Sequence, residues 1–208
     1  MKISYAISVC SELEEIQRLL TFLLKYKRSE DEIVITFDHK NGTKDVEKYL
    51  RSQSTNDNFS WHTPWPPFDK DFSKLKNYTK SMCNGDYIFH LDADEYPHEM
   101  LMEQLPSVIE TNDVDLIWVP RVNTVEGLTK DYIEKWRWRV SDNGWVNYPD
   151  YQARVFKNVP EIKWVKPVHE VITGHKTLAH LPPVEELSLY HPKTIEKQVK
   201  QNELYSSI

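Results

Sequence analysis

The chain has 208 residues, of which 39% are hydrophobic. A chain of this length and composition can form the hydrophobic core of one domain, and it does not need disulfides or a structural metal ion to fold. A formal net charge of −6 argues against broad non-specific binding to nucleic acid, but it leaves an anionic substrate open because a metal ion can supply local positive charge. The two cysteines, Cys10 and Cys83, lie at no metal or redox spacing, which predicts free thiols in a reducing compartment, the cytoplasm.

The chain begins with alternating strand and helix patterns. Ile3–Val9 predicts a buried strand; it has neither a basic lead-in nor a cleavage site, so we expect no secretory signal, and no stretch approaches a membrane span. Ser11 with Glu14 forms a capping-box start for a helix with one apolar stripe. A second strand at 32–37 ends in Asp38, and a turn leads into a second helix. This order is typical of a parallel α/β sheet because parallel strands need long crossovers.

An irregular stretch at 52–70 is rich in Trp and Pro, with a possible short strand at 59–62. A loop of this composition often lies over a site. The pattern then predicts a helix over 72–83, which leads into the central strand, and later a helix over 99–109 and a strand over 116–120.

The central strand, Tyr87–Leu91, breaks abruptly into the three carboxylates Asp92, Asp94 and Glu95. In open α/β sheets ligands bind outside the carboxyl ends of the strands, so these acids are expected to face a site. Hard oxygen ligands suit Mg²⁺ or Mn²⁺, whose shell substrate phosphates often complete. We therefore expect a diphosphate held by a metal. The alternative from the residues alone is that Asp94 caps a helix whose first turn carries Pro97.

The pattern changes from Val122 onward, where aromatic residues are dense and the hydrophobic period shortens towards two. This predicts antiparallel hairpins, with 151–157 paired to 162–165, a last strand at 187–190 and a polar helix over 194–205. No linker or repeat divides the chain, so we expect one domain over 1–208.

One basic segment, 135–139, interleaves Lys and Arg with Trp. This pattern is typical of a surface on which a base, a sugar or a lipid head group stacks. It is equally typical of a strand whose residues alternate between a buried face and a solvent-exposed face.

Several short segments follow one another along the chain in a specific order and spacing. They are ISVCSE, the strand ending in Asp38, FSKLKNYTKSMCNGDYIFHLDADE, YQARVF, VKPVHEVI and YHP. Together they resemble the GT-A glycosyltransferases, specifically the family 2-like group that includes the small lipopolysaccharide-core transferases. The resemblance implies a mainly parallel Rossmann-like sheet flanked by helices. It also implies a nucleotide-sugar half, 1–121, and a smaller antiparallel acceptor half, 122–208.

The resemblance implies roles for acids and a histidine on the donor side. Asp94 resembles the metal ligand, and Asp92 the acid that contacts the ribose or the metal shell. Asp38 stands where the family has an acid that hydrogen-bonds the nucleobase. His191 resembles the histidine that completes the metal shell or meets the diphosphate; without the resemblance it is read as a satisfied histidine at a strand end.

Lys76 and Asn77 stand where the family often has Arg-Asn at the donor diphosphate. Lysine keeps the positive charge, but it lacks the bidentate grip of an arginine on phosphate.

Family 2 transferases invert, so the resemblance implies one displacement at the anomeric carbon of a nucleoside-diphosphate sugar, with UDP-sugar as the first expectation and Mn²⁺ or Mg²⁺ as the metal. A hexose or pentose would pass to an acceptor hydroxyl, which must lose a proton to a base. Glu170 is our candidate base, at the start of a short helix after a Pro-containing turn, and His169 would orient it or replace it. Glu95 is the rival, although a carboxylate beside a divalent cation is weakly basic. Arg154 is read as an ion-pair partner of these acids or as a phosphate contact.

The family's default acceptor is a saccharide or a lipid-linked saccharide, and a modified nucleobase or a protein side chain stays open. A second class is a non-catalytic nucleotide-sugar binding or scaffold protein with the same fold. A third is a phosphotransferase with an Asp nucleophile, which is disfavoured because the motif is central and is followed by Glu95 and Tyr96.

Overall fold

The computed structural model describes the backbone of residues 1–206 and the side chains of residues 1–202. The strands in this part of the chain are β1 (Ile3–Val9), β2 (Glu32–Phe37), β3 (Phe59–His62), β4 (Tyr87–Asp92), β5 (Tyr96–Pro97), β6 (Leu116–Val119), β7 (Arg121–Glu126), β8 (Gln152–Lys157), β9 (Lys163–Val165), β10 (Val171–Thr173), β11 (Leu178–His180) and β12 (Leu189–Thr194). The helices are α1 (Leu13–Tyr26), α2 (Lys44–Ser52), α3 (Phe72–Ser81), α4 (Glu99–Asn112), α5 (Lys130–Trp136) and α6 (Ile195–Ser206). No helix of residues 1–206 is long and apolar enough to cross a membrane.

The main sheet has seven strands in the order β11-β6-β8-β4-β1-β2-β3. β1, β2, β3 and β4 are parallel, as the alternating pattern predicted, whereas β8 runs antiparallel to both of its neighbours, β4 and β6. The register places Val9 opposite Phe37 and Ser8 opposite Asp92. The carboxyl ends of three central strands therefore meet at one edge.

Helices cover both faces of this sheet because its central strands are apolar on both sides. Ile3, Tyr5 and Ile7 of β1 belong to the larger core, which includes the apolar stripe of α1. Ala6 belongs to a second core on the opposite face, with Trp164 of β9. The alternation along one strand thus builds both layers.

The second half is less hairpin-rich than expected. Gln152–Lys157 does not pair with 162–165 but enters the main sheet, and β9 pairs instead with β10. β12 runs parallel to β7 and antiparallel to β5. These three strands form a second, smaller sheet in the order β5-β12-β7. The predicted pairing of 151–157 with 162–165 was wrong, because the period of hydrophobic residues identifies a strand but does not identify the strand that pairs with it.

Local helix signals were also partly misassigned. Glu12, not Ser11, precedes α1, and its carboxylate accepts from the backbone N–H of Cys10 at 2.8 Å. His98 caps α4 by accepting from Met100 N–H, so Asp94 is not a helix cap. The basic aromatic segment at 135–139 is not a strand either, since α5 ends within it.

Candidate functional site

A cleft of about 1340 Å³ opens at the carboxyl ends of β1, β2 and β4. Asp38, Asp92 and Asp94 line it from the sheet side. His169 and Glu170 line it from the β9–β10 hairpin, and the Trp- and Pro-rich stretch contributes Phe68 and Lys70. The fold therefore brings the predicted donor side and the predicted acceptor side into one cavity.

Asp92 is the centre of an ion-pair cluster. Its Oδ2 lies 2.5 Å from Nη2 of Arg154, and its Oδ1 lies 3.3 Å from Nζ of Lys76. Burial would raise the pKa of Asp92, but Arg154 and Lys76 outweigh it and hold this pKa well below the usual range. Neighbouring His90 is buried, and burial together with Lys76 lowers its pKa to about 4. Asp92 is thus held as an anion beside a neutral imidazole at neutral pH.

Glu95 lies behind the cleft rather than in it, with 0% of its surface exposed. Its Oε1 accepts from Arg121 Nη1 and Arg154 Nη2, each at 2.7 Å, and its Oε2 accepts from the backbone N–H of Asp92 at 3.2 Å. Burial raises the pKa of Glu95, whereas Arg154 and Arg121 lower it, and the result is a lowered pKa. This geometry ties the strand end to two arginines. It makes Glu95 an orienting group and a poor position for accepting a substrate proton.

Asp94 and His191 face each other across the cleft wall, with Nε2 of His191 at 3.3 Å from Oδ2 of Asp94. The side chain of Asn123 fixes the imidazole, because its Nδ2 donates to Asp150 at 2.9 Å and its Oδ1 lies 2.7 Å from His191 Nδ1. Nδ1 must therefore carry a proton, and the lone pair of Nε2 in the neutral ring points at a carboxylate. Two facing lone pairs require a cation between them, either a proton or a metal ion.

Burial raises the pKa of Asp94, but the hydrogen bond with His191 and the charges of His191 and Lys193 together outweigh this and lower it. Lys193 extends the same wall, with Nζ at 4.0 Å from Asp94 Oδ2. Neither Lys193 nor Asn123 was singled out from the sequence. Lys193 lies two residues after His191 on the same strand, and this spacing places both side chains on one face. Asn123 lies opposite His191 in the neighbouring strand, which only the strand pairing reveals.

Glu170 sits at the tip of the β9–β10 hairpin and not on a helix. The predicted helix was wrong because Lys166 and His169 adopt positive φ angles of 74° and 52°, which turn the chain back into β10. The Glu170 carboxylate lies 2.6 Å from Nζ of Lys76, whose ammonium is also 4.6 Å from the centre of the Trp164 ring. One buried lysine therefore joins the candidate base to Asp92.

The two remaining predicted residues differ in their surroundings. Asp38 is 3% exposed at the end of β2, and its carboxylate accepts from the side-chain amide of Asn41 at 2.8 Å within the cleft lining. Asn77 does not line the cleft. Its amide makes two hydrogen bonds with the backbone of Trp164, at 2.8 and 2.9 Å, and so fastens α3 to β9.

The described part of the chain does not supply three protein ligands to one metal site. Among the described residues, no group of three His, Cys, Asp or Glu side chains is arranged to hold a metal ion. Both oxygens of Asp92 face cations of the chain, so Asp94 and His191 are the pair placed to share an ion.

Solved structures with a similar fold include S. aureus TarS. The crystal structure of TarS 1–349 aligns at a TM-score of 0.64 and 12% identity, covering 92% of this chain and 60% of that one. Its complex with UDP-GlcNAc aligns at 0.63 and 14% identity, covering 93% and 59%, and its complex with UDP at 0.64 and 13%, covering 92% and 60%. At such identities the likeness concerns the fold, which is the predicted GT-A fold, and this chain spans about three fifths of the TarS fragment.

Sequence comparison identifies the family directly. None of the curated proteins gives a significant match. The family model described as glycosyl transferase family 2 matches residues 4–162, which is more than half of the chain and includes all but the first residue of β1, the acids at the end of β4 and Arg154. The chain therefore belongs to glycosyltransferase family 2.

Proposed function

We propose that this domain is a metal-dependent, inverting glycosyltransferase that moves a hexose or pentose from a UDP-sugar to an acceptor hydroxyl. The observation that carries the proposal is the placement of the Asp94–His191 pair and of Glu170 in one cleft at the carboxyl ends of the parallel strands. The TarS complexes hold UDP and UDP-GlcNAc, and this supports uridine as the first nucleotide to test.

The donor side of the cleft fits a divalent ion. The facing lone pairs of Asp94 and His191 suit Mn²⁺ or Mg²⁺, which commonly take few protein ligands and complete their shell with phosphate oxygens and water. When bound, such an ion neutralises the charge that develops on the leaving nucleoside diphosphate. Asn123 holds the imidazole so that Nε2 faces this position.

The same side offers acids for the nucleoside. Asp92, kept anionic by Arg154 and Lys76, is an acceptor for ribose hydroxyls or for water in the metal shell. Asp38 keeps its side chain fixed by Asn41, which presents a rigid acceptor to the N–H group of a nucleobase.

Glu170 is the proposed base. It is 17% exposed in the cleft, against 0% for the Glu95 carboxylate, so it has access to an acceptor hydroxyl that Glu95 lacks. In the reaction the acceptor oxygen attacks the anomeric carbon, its proton passes to Glu170, and the C–O bond to the diphosphate breaks with the electron pair leaving on the diphosphate. Lys76 orients Glu170, and His169, exposed beside it, completes the hairpin tip.

The acceptor is proposed to be a saccharide or a lipid-linked saccharide, because aromatic side chains such as Phe68, Trp118 and Trp138 line the cleft as flat platforms for sugar rings. Both cysteines are unpaired, in keeping with the proposed cytoplasmic location.

The test begins with nucleotide and metal binding. Thermal unfolding is followed with UDP, GDP, CMP or dTDP, each with Mn²⁺, Mg²⁺ or EDTA, for the parent, Asp94→Ala and the control Asp57→Ala, which changes an exposed acid outside the cleft. A nucleotide at 100 times its Kd should add about 2.7 kcal/mol to the free energy of unfolding. We expect one nucleoside diphosphate to raise the midpoint only with metal, in the parent and Asp57→Ala but not in Asp94→Ala.

Catalysis is tested next by release of sugar from the selected donor and by transfer to candidate saccharides, with proton NMR of the product anomer to establish inversion. Metal-dependent nucleotide binding without turnover would instead favour the non-catalytic binding protein. No stabilisation by any nucleotide under any metal condition would refute the transferase.

A further inference from the structure

Lys193 is a buried cation that the proposed reaction has not yet used. It lies on β12 two residues after His191, so both side chains leave the strand on the same face and both line the cleft. Its side chain is 9% exposed, and burial lowers its pKa. A lysine is rarely buried to this extent without a partner that compensates its charge.

The partners of Lys193 compensate this charge less closely than those of the other cations in the cleft. Among the side chains that the structure describes, its nearest carboxylate is Asp94, at 4.0 Å, and that oxygen is shared with His191. Arg154, by contrast, lies 2.5 Å from Asp92, and Lys76 lies 2.6 Å from Glu170. The ammonium of Lys193 is therefore at the outer distance limit of an ion pair, and its side chain lines the cleft.

The ammonium is also held in place. Nζ of Lys193 donates to the side-chain oxygen of Gln201 on α6, which ties the end of β12 to that helix. The neighbouring Lys197 pairs with Glu15, and Lys200 is exposed at the rim. Lys193 is therefore fixed beside Asp94, whereas Lys200 offers the same charge on the same stretch of chain without burial.

We propose that Lys193 binds the diphosphate of the donor and stabilises the negative charge on the leaving group. The inference rests on the proposed function, because it takes Asp94 to mark the position of the diphosphate. No proton transfer is involved: the ammonium donates a hydrogen bond to a phosphate oxygen while the departing diphosphate gains the electron pair of the broken C–O bond.

Binding to UDP, to inorganic pyrophosphate and to uridine is measured by calorimetry or, for weak ligands, by NMR, with and without Mn²⁺. The variants are Lys193→Gln, Lys193→Met, Lys193→Arg and the matched control Lys200→Gln. Losing one charge-assisted hydrogen bond should weaken UDP binding by about 10- to 100-fold in the Gln and Met variants. Uridine, which has no phosphate, should bind all variants equally. Lys193→Arg should stay within a few-fold of the parent, because it keeps the charge.

Circular dichroism and thermal unfolding are used to check that each variant is folded. If Lys193→Gln does not fold, Lys193→Met replaces it, because methionine keeps an aliphatic side chain in the buried position. Equal UDP affinity in the parent and in the folded neutral variants overturns the proposal. An equal loss in Lys200→Gln would also overturn it, because the effect would then be one of overall charge. If the parent binds neither UDP nor any other nucleoside diphosphate, the proposed function fails with it; if the parent binds and only the Lys193 effect is missing, this inference alone fails.

Discussion

Replacing Glu95 by Gln tests whether this acid orients the site or acts as its base. Three donors converge on the carboxylate: Arg121 and Arg154 on Oε1 at 2.7 Å each, and the backbone N–H of Asp92 on Oε2 at 3.2 Å. A carboxamide has one acceptor oxygen, so its NH₂ group would face at least one of these donors. The substitution therefore loses both a charge and a hydrogen-bond acceptor in a fully buried position.

Breaking one partner of a buried ion pair costs about 3–5 kcal/mol in the free energy of unfolding. The lower end of this range applies here, because each arginine keeps a second carboxylate partner when Glu95 is replaced. Arg154 is paired with Asp92 at 2.5 Å, and Arg121 is paired with Asp150 at 2.6 Å. We expect a loss of about 3 kcal/mol at pH 7, which for a urea slope of about 2–3 kcal/mol/M moves the midpoint down by about 1 M or more. Glu103→Gln, an exposed acid on α4, is the control, and its change should stay within about 0.5 kcal/mol.

The difference between parent and Glu95→Gln should depend on pH. The folded-state pKa of Glu95 lies below its usual value of 4.5, so its carboxylate stabilises the fold above that value and loses this contribution as the pH falls through the folded pKa. The gap between the two urea midpoints should therefore be full at pH 7 and shrink below about pH 4. A Glu95→Gln protein as stable as Glu103→Gln, or a gap independent of pH, would refute the orienting role.

Three further predictions concern the cleft and the elements that support it. Glu170→Gln should lower kcat for transfer by about 10²- to 10⁴-fold, as expected for loss of a base, while calorimetry shows nearly unchanged UDP binding; unchanged kcat would remove Glu170 from the mechanism. Asn77→Ala should lower stability in urea by about 1–3 kcal/mol, through its two hydrogen bonds to Trp164, without weakening UDP binding; the opposite pattern would restore its predicted role at the diphosphate. Gly174→Ala should destabilise the hairpin that carries Glu170, since φ is +87° and a Cβ would meet the Glu161 carbonyl; a melting temperature equal to that of the parent would contradict this.

Much of the fold of residues 1–121 was predictable from sequence because its elements are local. β1, β2 and β3 have the predicted limits, since short runs rich in β-branched and aromatic residues, bounded by polar residues, define strands without reference to the rest of the chain. α3 and α4 differ from expectation only at their carboxyl ends, where caps and fraying decide the last turn.

The second half was less predictable because its pairings are long-range. β8 reads as a strand, but nothing in its pattern says that it lies between β4 and β6. α5 was missed because it has only seven residues, too few to show a clear helical period within the aromatic-rich second half.

For the site, residue chemistry pointed to most of the acids, to His191 and to the cations Lys76 and Arg154, but two further countercharges came from geometry alone. Arg121 and Lys193 carry no local signature and are placed by strand packing. Asn77 shows the complementary limit: its side chain has the chemistry of a ligand contact, but in the fold its amide is hydrogen-bonded to the backbone of β9.

The position of β8 has a consequence for how the cleft forms as the chain is synthesised. Arg154 reaches back 62 residues to Asp92, so the acids of the central strand gain their main countercharge only after the chain beyond residue 152 has emerged from the ribosome. A fragment ending at residue 121 would leave β4 as an open edge and Asp92 and Glu95 without Arg154, so the ion-pair cluster in the cleft cannot be completed before β8 is synthesised. Contacts of such high sequence separation also slow folding, and assembly of the cleft should be among the last folding events.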